Sequence, residues 1–101
     1  MRIIFERTGG FTGRKIQGLL DSSTLPPPKA RKLEKLLEQS RFFELPTLLS
    51  SPEPGADRFS YRVTVETDKC RHTVETGDAA IPPALRSLLD FLTRSLFEKR
   101  S

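Results

Sequence analysis

Cys70 and His72 are the side chains best suited to nucleophilic or metal chemistry, and each is the only one of its kind in the chain. They lie two apart in a segment that reads as a strand, so both fall on one face and close together. A catalytic thiol must be exposed, activated and in contact with its base. Proximity alone does not supply that, and the plain reading is an ordinary packed or exposed pair. Zinc needs three or four ligands, and one Cys with one His falls short. Asp21, Asp57 and Asp78 stand in loops, where aspartate is a normal turn residue. No phosphate loop and no dinucleotide fingerprint is present. The expectation is a chain with no catalytic residues, no metal and no cofactor, and not an enzyme. A lone cysteine cannot form an internal disulfide, so the fold needs no oxidising compartment.

Gly10-Phe11-Thr12-Gly13-Arg14-Lys15 has the shape of the GxxG loop with which KH domains clamp a nucleic-acid backbone. Such a loop joins two helices, whereas both flanks here read as strands. The competing reading is a glycine-rich hairpin turn with no ligand. The net charge is only +4, with both signs interspersed, where nucleic-acid binders gather positive charge on one face. Nucleic-acid binding through Gly10 to Lys15 is therefore the alternative, and no nucleic-acid partner is expected.

The elements that must position these residues follow from periodicity. The chain has 101 residues, enough for one compact domain spanning 1–101. Arg2 to Thr8 is rich in β-branched and aromatic residues and reads as a strand. Arg14 to Leu20 reads as a second, with Ile16 and Leu20 facing in and Gly18 weakening it. Pro26-Pro27-Pro28 opens a helix ending at Ser40, with Ser23 or Thr24 near the cap and Leu33, Leu36 and Leu37 on one stripe. Phe42 to Pro46 is an apolar anchor, and Thr47 to Asp57 is a proline-punctuated loop. Phe59, Tyr61, Val63 and Val65 alternate with polar residues in the clearest strand of the sequence. Asp68-Lys69 is a turn, Cys70 to Thr76 the next strand, and Pro82-Pro83 opens a helix with Leu85, Leu88, Leu89, Leu92 and Leu96 on one stripe. The order is ββαββα. A sheet with one apolar face needs a cover, so the expected fold is an α+β two-layer sandwich: a four-stranded, mostly antiparallel sheet with two helices on one face. Phe5, Leu33, Leu37, Tyr61, Val63, Val65, Leu85, Leu89 and Leu92 are the expected core. Charges flanking the short apolar run Ile3-Ile4-Phe5 do not make a signal peptide, and no stretch is long enough for a membrane helix. A cytoplasmic protein, with no membrane partner, is expected.

Several of these segments in order resemble one family. Arg7-Thr8-Gly9-Gly10-Phe11-Thr12-Gly13, the anchor Phe42-Phe43-Glu44-Leu45-Pro46, Gly55-Ala56-Asp57-Arg58-Phe59-Ser60-Tyr61-Arg62-Val63, and the closing Pro-Pro-Ala-Leu-x-x-Leu-Leu-x-Phe-Leu are similar to those of the emfourins. The likeness spans nearly the whole chain. It implies a bacterial protein that inhibits a thermolysin-like zinc metalloprotease of the protealysin kind by capping its active-site cleft. A monomer is expected when the chain is free.

Chain direction then suggests where the inhibitory surface lies. With the first strand running up, Gly9, Gly10, Phe11, Thr12 and Gly13 are at the top. The exit of the first helix, Phe42 to Asp57, is expected there too, as is Gly77 to Pro82, with the Asp68-Lys69 turn at the bottom. The candidate partner-binding residues are Gly9 to Gly13, Leu48, Leu49 and Asp57. Phe11 is the expected apolar anchor, with Leu48 and Leu49 behind it, and Asp57 a carboxylate within reach of the target's zinc. The alternative for Phe11 is a lid folded back onto the core.

Overall fold

The fold is that of a computed structural model, which describes residues 1–9, 14–49, 59–77 and 80–96. Strands β1 (Arg2–Gly9) and β2 (Arg14–Asp21) are followed by helix α1 (Pro27–Ser40), strands β3 (Leu48–Leu49), β4 (Phe59–Glu66) and β5 (Arg71–Gly77), and helix α2 (Pro83–Leu96). Among the described residues the sheet has five strands in the order β2-β1-β4-β5-β3, and of their pairings only β3–β5 is parallel. We call the end where β1 finishes, at Gly9, the upper end.

The five strands correct the expectation of four. Leu48 and Leu49 lie inside the segment that composition marks as loop, and two residues are too few to show an alternating pattern. Tertiary pairing makes the strand: the Glu75 amide donates to the Thr47 carbonyl at 2.8 Å, and Leu48 and Leu49 run beside Glu75 and Thr76. The gain is to occupy backbone groups that β5 would otherwise show at a sheet edge.

The start of α1 also differs from expectation. Neither Ser23 nor Thr24 caps it. The Asp21 carboxylate instead caps a 3₁₀ turn, accepting from the Ser23 amide at 3.0 Å and the Ser23 hydroxyl at 2.8 Å. The Ser23 backbone amide, and then its hydroxyl, hold the Asp21 carboxyl below the usual aspartate range. Because the folded value is the lowered one, this contribution is present at neutral pH and is lost only as pH falls through it. Helix α1 itself starts after Pro26 with no side-chain cap. Pro27 and Pro28 in its first turn have no N–H groups needing one.

The inner face of the sheet carries Ile3, Phe5, Leu20, Val63, Val65 and Val74, all buried. They form one cluster with Leu33, Leu36 and Leu37 of α1, with Phe42, and with Leu85, Leu88, Leu89 and Leu92 of α2. Tyr61 is the one expected core residue that is only half-buried, packing against the cluster from its rim.

The helix exit is the third correction. Arg41 takes the left-handed conformation (φ 52°, ψ 48°), which ends α1 with its amide on the Glu38 and Leu37 carbonyls. The chain reverses there and drops Phe42 fully into the core. The Phe42 ring meets His72 of β5, which is paired with Val65 in the lower half of the sheet. The segment from Phe42 to Leu45 is therefore at the lower end, and β3 carries the chain upward from there.

Leu89 sits at the centre of the α2 stripe, 3% exposed. Leu89→Ala is expected to cost roughly 2–5 kcal/mol in urea unfolding, the range for a buried leucine whose cavity only partly collapses. A loss under about half a kcal/mol, the size of a surface change, would show that this face does not seat the helix.

Candidate functional site

The upper end is where the register aligns the termini of four strands. Gly9, the last residue of β1, lies opposite Arg14 on one side and Phe59 on the other. Ser60 of β4 in turn faces Gly77, the last residue of β5. Gly9 has φ 127°, a backbone conformation that side chains strain to adopt, so glycine suits the point where β1 gives way to its connection. The inner face grades from apolar to polar toward this rim. Phe5 stacks on Tyr61 with ring centroids 6.1 Å apart, and above them the Arg7 guanidinium lies 5.2 Å from the centre of the Phe59 ring. That cation–π contact ties β1 to the first residue of β4 and is worth about 0.5–2 kcal/mol according to its exposure.

Among the expected site residues, Gly9 is at this rim. Leu49 lies opposite Thr76 and is half-buried against the core, whereas Leu48 lies opposite Glu75 on the outer face and is 63% exposed. The two leucines therefore point to opposite sides of the sheet, as neighbours in a strand must. Gly10, Phe11, Thr12, Gly13 and Asp57 lie outside the described residues, as does Asp78.

The thiol and the imidazole are at the lower end and have different partners. Cys70 is exposed in the β4–β5 turn, where the Thr67 hydroxyl accepts from the Lys69 amide at 3.3 Å and from the Cys70 amide at 3.1 Å. His72 faces inward, with Nε2 2.7 Å from the Leu45 carbonyl oxygen and its ring edge-on to Phe42 at 5.6 Å. A ring nitrogen that donates there fixes the tautomer and holds the approach to β3 against β5. Among the described residues no three His, Cys, Asp or Glu side chains converge as metal ligands. A depression of about 830 Å³ is also at the lower end, between Met1, Thr67 and residues from Glu34 to Glu44.

The outer face carries a ladder that residue spacing could not reveal, because its members come from four strands. Lys15 Nζ is 2.9 Å from Glu6, Arg62 is 3.7 Å from Glu6, and Arg62 Nε is 3.6 Å from Glu75. Below it the Thr64 and Thr73 hydroxyls meet at 2.9 Å, and Arg71 pairs with Glu66 at 3.3 Å. The only signal in the sequence is the alternation of charged with apolar residues in each strand; the cross-strand partners depend on register.

These features define an α+β fold that aligns strand ends at one end of its sheet and holds Cys70 and His72 at the other. Residues 5–93 match the Emfourin family, and the chain belongs to it. It is a family of protein inhibitors directed at metalloproteases. No curated protein and no solved structure matches the chain. Among the described residues no helix is long and apolar enough to cross a membrane. The GxxG segment connects Gly9 to Arg14, two paired strand ends, where a KH loop connects helices.

His72→Ala removes the group that faces the Leu45 carbonyl and is expected to lower stability by about 1–3 kcal/mol. Cys70→Ser, on an exposed turn, should stay within about 0.5 kcal/mol. Equal losses from the two in chemical denaturation would contradict the division between a structural imidazole and an idle thiol.

Proposed function

We propose that this chain inhibits a thermolysin-like zinc metalloprotease by inserting the connections at the upper end of its sheet into the active-site cleft. Membership of the Emfourin family carries the reading. The register supports the choice of end: Gly9 pairs with both Arg14 and Phe59, and Ser60 pairs with Gly77. The flanks of 10–13, the residue after 50–58 and the residue before 78–79 therefore meet along one edge. Loops carried on a packed scaffold are the usual seat of binding residues.

Inhibition of this kind needs no chemistry from the inhibitor. It needs a side chain that fills the target's pocket and loops whose ordering costs little on binding. Phe11 is the anchor for the apolar pocket that receives the residue after the scissile bond. Leu48 adds exposed apolar surface on the neighbouring edge strand, Leu49 braces that strand from the core side, and Asp57 supplies a carboxylate toward the zinc. Pro46, Pro52, Pro54, Pro82 and Pro83 restrict the connecting segments, as proline fixes φ.

Phe11→Ala is expected to weaken inhibition of a thermolysin-like protease by about 2 kcal/mol or more, roughly thirtyfold, with melting nearly unchanged. Asp68→Ala and Lys69→Ala, at the lower end, should leave the inhibition constant within about twofold, as surface changes outside a hot spot do. The opposite pattern would place the inhibitory surface at the other end. Affinity should change little between low and physiological salt; a steep fall, with binding to single-stranded nucleic acid, would favour phosphate contacts through Gly10 to Lys15.

A further inference from the structure

The two edges of the sheet are finished differently. On one side β5 is covered by β3, a strand of two residues, which is one of the ways proteins keep an edge from pairing further. On the other side, among the described residues, β2 is an edge strand of eight residues, in continuous register with β1 and without proline. The phase of its hydrogen bonds follows from the Ser22 amide donating to the Met1 carbonyl at 2.9 Å. That pair and every second one above it, Leu20, Gly18, Ile16 and Arg14, bond to β1. The backbone groups of Lys15, Gln17, Leu19 and Asp21 consequently point away from the sheet. The Asp21 carbonyl already takes the Thr24 hydroxyl at 2.8 Å.

Apolar side chains flank this edge on both faces. Leu19 is 58% exposed on the outer face. On the inner face Ile16 is half-buried, and Leu96 packs onto Gly18 so closely that a Cβ there would come within 3.1 Å of its methyl group.

We propose that β2 is a dimer interface, at which two copies of this chain pair antiparallel about a twofold axis at Gly18 and merge their sheets. The occupant is a second copy because the strand complements itself. With Gly18 opposite Gly18, Lys15 faces Asp21 of the second copy and Ile16 faces Leu20. Gln17 faces Leu19, which puts the two Leu19 side chains on a diagonal within reach of one another. Centring on Gln17 leaves Lys15 opposite Leu19 and Asp21 beyond the overlap. Centring on Leu19 sets Lys15 against Ser23. Of these three registers only the one at Gly18 sets Lys15 against Asp21, and its paired residues, all of equal parity, fall on the same face as antiparallel pairing about such an axis requires. The absence of a side chain at Gly18 leaves room at the axis for Leu96 of each copy. The exposed ion pairs add little affinity and act to select the register. This assembly departs from the monomer expected from the sequence, and it is argued from the β2 edge alone, without use of the inhibitor reading.

Sedimentation velocity on the full chain, at roughly 100 micromolar so that mass action favours assembly, is expected to give twice the chain mass. Gln17→Pro removes one outward amide at an edge position that tolerates proline, and should give a monomer with unchanged circular dichroism. Lys15→Glu and Asp21→Lys should each weaken the dimer about tenfold or more, and the double swap should restore it. Leu48→Lys, on the opposite edge, should leave the dimer intact. A monomeric wild-type chain overturns the proposal, as does a dimer that survives Gln17→Pro or a double swap that brings no rescue.

Discussion

The structure depends on the double pairing of β1. This strand is bonded along its whole length to β2 and to β4. A strand with neighbours on both sides has no freedom to slip, since a shift of one residue would turn Ile3 and Phe5 out of the core. The same registers bring Gly9 level with Arg14 and Phe59. The alignment of connections at the upper end is thus a by-product of burying Ile3 and Phe5 correctly. Whatever those connections bind, their spacing is inherited from the core.

The outer face reinforces that register by charge. Arg2 lies opposite Glu66, and Glu6 lies opposite Arg62. A slip by two residues would keep the hydrophobic side chains inside yet separate both pairs at once. Each exposed ion pair contributes little stability, but register is a choice between alternatives, and there small differences decide. The uncharged row between them, Leu19, Ile4, Thr64 and Thr73, runs straight across four strands.

The parts of the fold legible in the sequence are those set by local pattern. Phe59 to Glu66 alternates so regularly that its ends can be read directly, and the leucines of α2 stand at helical spacing. The parts that were not legible are set by distant contacts. Nothing in Leu48-Leu49 marks a strand, because β5 supplies the pairing. Nothing in Arg41 marks a left-handed residue, yet that residue ends α1 and turns Phe42 into the core. For the candidate site, glycine at position 9 signals the connection after β1, and chain direction places it beside Phe59. The Arg7–Phe59 contact and the ladder through Glu6 and Arg62 join residues far apart in sequence, and only the register reveals them.

The placement of β1 also governs how the sheet can assemble in time. Its pairing with β2 closes a short hairpin, which local encounters achieve quickly. Its pairing with β4 joins positions separated by about half the chain or more, so it must wait for a large loop to close and pay that entropy before the contact rewards it. Until then the future centre of the sheet is a bare edge. Folding is therefore expected to be limited by the β1–β4 encounter, and substitutions along that seam will change the rate of folding more than those in the hairpin.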